Sequence, residues 1–314
     1  MPPYRVSEWF ECGGFLLGLL LGSFLNVCIS RLPAHKSIVQ PRSRCPHCGQ
    51  AIRWYDNIPL LSWILLRAHC RDCKAPVSWR YPAVELAVGL WMASSAARLY
   101  EVRYALAIDS WVLVPEETVK TIAFAILGFL LIGLMVMDWQ TQRLPDAFTL
   151  SGIGIGFLLT CAQAFFLPQG QGDVAFNTTH QLRMNSPGSF AAQGNIFMTG
   201  SEALVWGRIL AICGAALLLI VIRAIYKALR KGDGMGFGDM KLLAMIAAFL
   251  GFGESLLALF IGVITATIYG VGLLARKKAH AQTRLPFGSF LCAGGLFAAL
   301  FGTAIVSWYT NLLR

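Results

Sequence analysis

Two aspartates stand where apolar runs meet short polar turns. Asp138 closes one run in "LMVMDWQTQRLPD", and Asp239 opens another in "GMGFGDMKLLAMIAAFLG". Charged side chains at membrane depth are costly and mark function. Two carboxylates that meet share one proton, so one is ionised while the other is not. Such a pair activates water against a peptide carbonyl, as in aspartic proteases. The alternative is two acids at helix ends in interfacial water, since Asp suits a helix N-terminus. Glu85 in "YPAVELAVGL" and Asn26 in "GSFLNVCISRLP" are further polar groups inside apolar runs. Gly232, Gly234, Gly236 and Gly238 alternate ahead of Asp239. Glycine lets another backbone come close, which suits an extended substrate, although glycine-rich loops also hold phosphate.

A second constellation is "CPHC" (Cys45, Cys48) with "CRDC" (Cys70, Cys73), spaced C-x2-C-x21-C-x2-C. Each C-x-x-C presents two thiolates from one tight turn, and two such knuckles make a tetrahedral sulfur site suited to structural zinc. An insert of this size buries little core, so a metal staple makes physical sense. Redox dithiols and disulfides are the alternatives, and a cytoplasmic setting disfavours the disulfide. His47 and His69 flank the knuckles and are substitute ligands. The other five cysteines (Cys12, Cys28, Cys161, Cys213 and Cys292) lie in apolar runs and read as small hydrophobes.

The elements that carry these residues are hydrophobic. The chain has 314 residues, 56% hydrophobic and 13% charged, with mean hydropathy +0.61; soluble domains carry about 25% charge. Eight apolar runs read as spans, near 12–30, 81–100, 118–138, 147–167, 204–226, 240–252, 255–275 and 288–311. The first lacks a basic leader and a cleavage site, so it reads as an anchor rather than a signal peptide. The fold class is therefore an all-α polytopic membrane protein. About eight transmembrane helices carry a small zinc-binding insert between the first and second. The organisation is 1–30 as first helix, 31–80 as tetracysteine domain and 81–314 as membrane core. The loop 168–203 is polar and poor in charge. Lys and Arg concentrate at 31–80, 139–146, 223–241 and 276–284, which hold 19 of the 26 basic residues. The positive-inside rule puts these loops in the cytoplasm and both termini outside. The net charge of +10 is thus a topology signal and not a nucleic-acid footprint.

Taken together, these segments resemble the type IV prepilin peptidases, bifunctional leader peptidase/N-methyltransferases of the GxGD aspartic class. "GSFLNVCISRLP" resembles the family's first-helix motif and residues 45–86 its tetracysteine domain. "DWQTQRLPD" resembles the segment with the first catalytic aspartate, "GMGFGDMKLL" the GxGD segment and "LPFGSFL" the last loop. The resemblance implies that Asp138 and Asp239 are catalytic, with Gly236 and Gly238 completing the GxGD motif. Where the family often carries a second acid after the first aspartate, this chain has Gln140; Asp146 is the fallback. The loop 168–203 is longer than the family's. The implied substrates are prepilins or pseudopilins of pili or type II secretion. They would be cut after a leader glycine at the cytoplasmic face of a bacterial inner membrane, then methylated from S-adenosylmethionine. Glu85 is the candidate for methyl transfer, with packing as its alternative; Lys241 and Asn26 are candidates for orienting the site. Competing readings are a GxGD peptidase without methyl transfer, a proton-coupled transporter, which would call for inverted repeats, and a zinc scaffold without chemistry.

Overall fold

The computed structural model describes residues 3–40, 42–106, 113–166, 201–230, 236–276 and 285–312. Most of the outer loop (168–200), Gly232, Gly234 and the basic loop from 277 to 284 lie outside the described residues. Residues 201–203 begin a helix instead of closing that loop.

The described helices are α1 (Pro3–Arg31), α2 (Leu61–Leu65), α3 (Arg80–Leu106), α4 (Leu113–Thr141) and α5 (Asp146–Phe166), followed by α6 (Ser201–Arg230), α7 (Phe237–Leu250), α8 (Phe252–Ala275) and α9 (Phe287–Leu312). Among the described residues the only extended pairing is two isolated bridges, Arg44 with Ala51 and His69 with Pro76. The all-α, membrane-helical architecture expected from the sequence is present.

The count of spans fits more loosely. Among the described residues, six helices are long and apolar enough to cross a membrane by themselves, within α1, α4, α5, α6, α8 and α9. The other two fall short for different reasons. α3 carries Arg80, Glu85, Arg98, Glu101 and Arg103. α7 has 14 residues, about 21 Å at 1.5 Å per residue, against a hydrocarbon core of about 30 Å. Both are sheltered by protein. In α7 every residue from Leu242 to Phe249 is buried, which is the signature of a helix surrounded on all sides.

Close contacts fix the directions of the helices. α1 lies antiparallel on α3 through Gly14, Gly18 and Gly22: a Cβ at Gly18 would sit 2.6 Å from the Val88 carbonyl oxygen, and one at Gly22 2.7 Å from Glu85 Cα. This small-xxx-small stripe lets two backbones touch. Trp91 of α3 lies over Gly128 of α4, and its indole N–H donates to the Phe124 carbonyl at 3.0 Å. α5 runs parallel to α7, with Gly152 on Met245 and Gly156 on Phe249. α6 runs against α7: its Arg208 donates to the Ala247 carbonyl at 3.3 Å, and its Arg223 covers the Phe237 ring at 3.9 Å. Gly251, at φ +102, turns the chain into α8. α8 and α9 cross antiparallel, with Gly294 against the Ala258 carbonyl and Gly262 against Leu291. The eight long helices therefore alternate in direction. The C-termini of α1 and α4 and the N-termini of α3, α5, α7 and α9 share one end of the bundle. Every candidate site residue is at that end.

Candidate active site

Asp138 occupies the last turn of α4 and is buried, 5% exposed. The helix stops there because Gln142 adopts φ 51 and returns its N–H to the Asp138 carbonyl at 2.9 Å, a left-handed C-terminal cap. The carboxylate of Asp138 meets the start of α9. Its Oδ2 accepts the Ser289 backbone N–H at 2.7 Å and lies 3.0 Å from the Ser289 hydroxyl. That hydroxyl is also 2.9 Å from the Met135 carbonyl, so its single proton serves one acceptor at a time. Helix N-termini attract anions through their free N–H groups.

Asp239 sits three residues after the N-cap Gly236 and accepts the Gly236 backbone N–H, half of a capping box. It is half-buried. The negative charge of Asp138 acts on Asp239, and both acids act on the buried thiol of Cys292. Leu144 links the two: its side chain lies 3.1 Å from where a Cβ would stand at Gly238 and, equally, at Gly288. The two aspartates, 101 residues apart in sequence, face one small region at one end of the bundle. Gly288 leaves room there: a Cβ would lie 3.0 Å from both Cγ and Oδ2 of Asp138, so the carboxyl group would have to give way by a few tenths of an ångström.

The four cysteines converge as well. Their sulfurs all lie within 4.8 Å of one another. The two knuckles share one geometry, 25 residues apart. Cys45 N–H donates to Gln50 and Cys70 N–H to Ala75, while Gly49 and Lys74 return their N–H groups to Cys45 and Cys70. Gly49 and Lys74 both take positive φ, 72° and 57°. Backbone N–H groups of Cys48 and His47 lower the Cys45 thiol to about 6. The Ala75 N–H pulls on Cys73, but desolvation and the three neighbouring sulfurs push it up to about 12. A Zn–S bond of about 2.3 Å implies a tetrahedral sulfur–sulfur edge of about 3.8 Å. Cys45 and Cys73 are 3.8 Å apart, so the donor set fits zinc. Arg71, inside the second knuckle, clamps Asp56 through Nε and Nη2, the latter 2.6 Å from Oδ1.

Glu85 and Asn26 lie where α1 and α3 enter this insert. Glu85, 8% exposed, accepts the Leu60 N–H at 2.9 Å and so ties α3 to the insert. Asn26, 4% exposed, donates from Nδ2 to the Tyr81 carbonyl at 3.0 Å.

Residues 16–99 match the Bacterial Peptidase A24 N-terminal domain, and residues 188–271 match the Type IV leader peptidase family. A prepilin leader peptidase/N-methyltransferase of Aeromonas hydrophila is 32% identical over 95% of this chain and 93% of its own. The chain belongs to this family. Relatives of the same name from Stutzerimonas stutzeri (31% identical, 97% of this chain and 95% of the relative) and Burkholderia pseudomallei strain 1026b (33%, 92% and 84%) agree. No solved structure matches the chain. Within the prepilin leader peptidase family match, the N-terminal segment holds Asn26, the four cysteines and Glu85. The second segment holds Gly236, Gly238 and Asp239, whereas Asp138 and Ser289 lie outside both.

Asp146, the fallback acid, is not turned to the pair. It is 60% exposed and bonds Lys241 at 2.7 Å, so Lys241 joins α5 to α7 beside the site. Gly288 and Ser289 fall within "LPFGSFL", which the sequence marks only as a last loop, with no site role given to either residue. Their signal was the helix start in "LPFGS", where a Pro precedes Gly and Ser; the partner of that helix start is not encoded locally.

Proposed function

We propose that this protein cuts the leader from type IV prepilins or pseudopilins with Asp138 and Asp239, and then methylates the new amino terminus. What supports the peptidase reading is that Asp138 ends α4 against the start of α9, while Leu144 lies beside both Gly288 and Gly238, the neighbour of Asp239 in α7. One carboxylate, ionised, takes a proton from water as it attacks the scissile carbonyl. The other, protonated, donates a hydrogen bond to that carbonyl oxygen. Ser289 holds Oδ2 of Asp138 and so orients the carboxyl group. Gly236 and Gly238 let an extended leader pass close to Asp239. The site faces the cytoplasm of a bacterial inner membrane, because the end of the bundle that bears it also bears the basic residues of the insert and of the turn after α4.

The relatives' name includes methyl transfer, and the same activity is proposed here, with Glu85 assigned to it. S-adenosylmethionine supplies a methyl group bound to a positively charged sulfur. The new amine would have to be the free base to accept that methyl group, with the carbon–sulfur electron pair left on sulfur, and Glu85 would receive the proton or hold the resulting secondary ammonium. Cys45, Cys48, Cys70 and Cys73 would hold zinc as a structural staple of the insert. The test is incubation of detergent-purified protein with a prepilin and the methyl donor, read by mass spectrometry of the product N-terminus. Loss of the leader with one added methyl group is expected. An intact leader overturns the peptidase reading, and a cut but unmethylated product overturns the second activity.

A further inference from the structure

The end of the bundle that bears the two aspartates is otherwise basic. Arg80 opens α3, Arg143 lies in the turn after α4, Arg223 is near the end of α6 and Lys241 is in the second turn of α7. From α4 to α9, the described acids at this end are Asp138, Asp146 and Asp239; Glu117 and Glu254 lie near the starts of α4 and α8, at the opposite end. In the insert, Asp56 is clamped by Arg71 and Asp72 sits on the second knuckle. Asp146 is therefore the exposed acid next to the site, and the mechanism does not use it. Leu144, two residues before it, lies against both Gly238 and Gly288. Its partner Lys241 follows Asp239 by two residues. Helical residues two apart do not share a face, so Lys241 turns away from Asp239 and meets Asp146 Oδ1 at 2.7 Å. The ion pair borders the site without entering it. A carboxylate accepts several donors, and among the described residues Asp146 Oδ2 has no partner.

We propose that Asp146 is the recognition residue for a Lys or Arg side chain in the leader of the substrate. A chain cut at the cytoplasmic end of an apolar segment carries basic residues just before that segment, by the same positive-inside rule that orients this protein. Such a leader is repelled by a basic face, and it is admitted where that face offers a carboxylate. The leader's cation takes Oδ2 of Asp146 while Lys241 holds Oδ1. Lys241 is then a competitor as well as a tether, and it tunes how strongly the acid attracts the leader. An exposed pair of this kind is worth about 0–1 kcal/mol, so Lys241 yields easily. The inference rests on the peptidase reading above and names what selects the substrate's charge.

Cleavage is measured on full-length, zinc-loaded protein in detergent with three forms of one prepilin: its own basic leader, the leader with every Lys and Arg changed to Gln, and the leader with them changed to Glu. Asp146→Asn should raise KM for the basic leader about fivefold, the upper end for an exposed ion pair. It should leave kcat for that leader, and both constants for the neutral one, near wild type. Lys241→Met should do the reverse and lower KM for the basic leader, whereas a merely structural ion pair would make the two variants fail alike. Asp146→Lys should prefer the acidic leader to the basic one. Equal losses on basic and neutral leaders, or a fall in activity on Lys241→Met matching that of Asp146→Asn, overturns the recognition role and leaves the peptidase reading standing. Failure of the wild type to cut any of the three substrates overturns both.

Discussion

At the scale of residues, the site depends on what the glycines leave empty. A Cβ at position 288 would stand 3.0 Å from Cγ and Oδ2 of Asp138, tight enough to push the carboxyl group aside. Gly288→Ala should therefore displace the acid and lower cleavage about tenfold or more, while zinc content and methylation of a pre-cleaved pilin stay near wild type. Ser289→Ala keeps the backbone N–H bond to Asp138 and loses the hydroxyl. A smaller fall in cleavage is expected, within about tenfold, the range for one ordinary hydrogen bond, because the hydroxyl proton is shared with the Met135 carbonyl. Rates on a purified prepilin check both. The aspartates themselves were legible, because an acid at the edge of an apolar run is conspicuous and the surrounding motifs are specific. Ser289 was not legible, since its partner is 151 residues away and its contribution begins with a backbone N–H that every residue but proline carries. Asn26 was visible as an oddity, but only the structure shows its Nδ2 tied to the Tyr81 carbonyl of α3.

At the scale of elements, the cysteine insert and the α1–α3 pair behave as separable devices. The insert has short helical turns, two bridges and little core, so the metal completes it. Replacing Cys70 with Ser should release zinc and expose residues 42–79 to protease, while α4 to α9 stay folded; limited proteolysis with metal analysis reads this. Cys45, lowered to about 6, is already thiolate at neutral pH, and Cys73, pushed up to about 12, is not. Zinc binding near pH 7 must then release protons and tighten as pH rises, measurable by competition with a chromophoric chelator at two pH values. The two knuckles were legible from spacing alone. The glycine stripe on α1 was equally present in "GGFLLGLLLGS", but its meaning needed the partner helix. Gly18→Leu would drive a side chain into the Val88 carbonyl. It should destabilise the protein by about 1–3 kcal/mol and reduce methyl transfer more than cleavage, because α3 carries Glu85 and the aspartates lie on other helices. Thermal unfolding and the two activities, measured together, test this.

At the scale of the whole molecule, hydropathy and structure count spans differently. α3 is too charged and α7 too short to pass as spans in isolation, yet each runs antiparallel to the long helix before it in the chain and is covered by protein. The sequence pattern marks both as apolar runs; it does not show that α7 is enclosed by α4, α5, α6, α8 and α9. If all eight long helices cross, single cysteines at 185 and 280 in a background without native cysteines should label from opposite sides of the membrane. Labelling from the same side would mean that α7 enters the membrane without crossing. The central claim, that two acids from α4 and α7 cut the substrate, is tested most directly by Asp138→Asn and Asp239→Asn, assayed on one prepilin. Asn matches Asp in size but cannot exchange the proton. Each change should lower cleavage by about 10²- to 10⁴-fold with zinc retained and methylation of a pre-cleaved pilin intact. Cleavage near the wild-type rate by either variant would remove that residue from the mechanism and contradict the account.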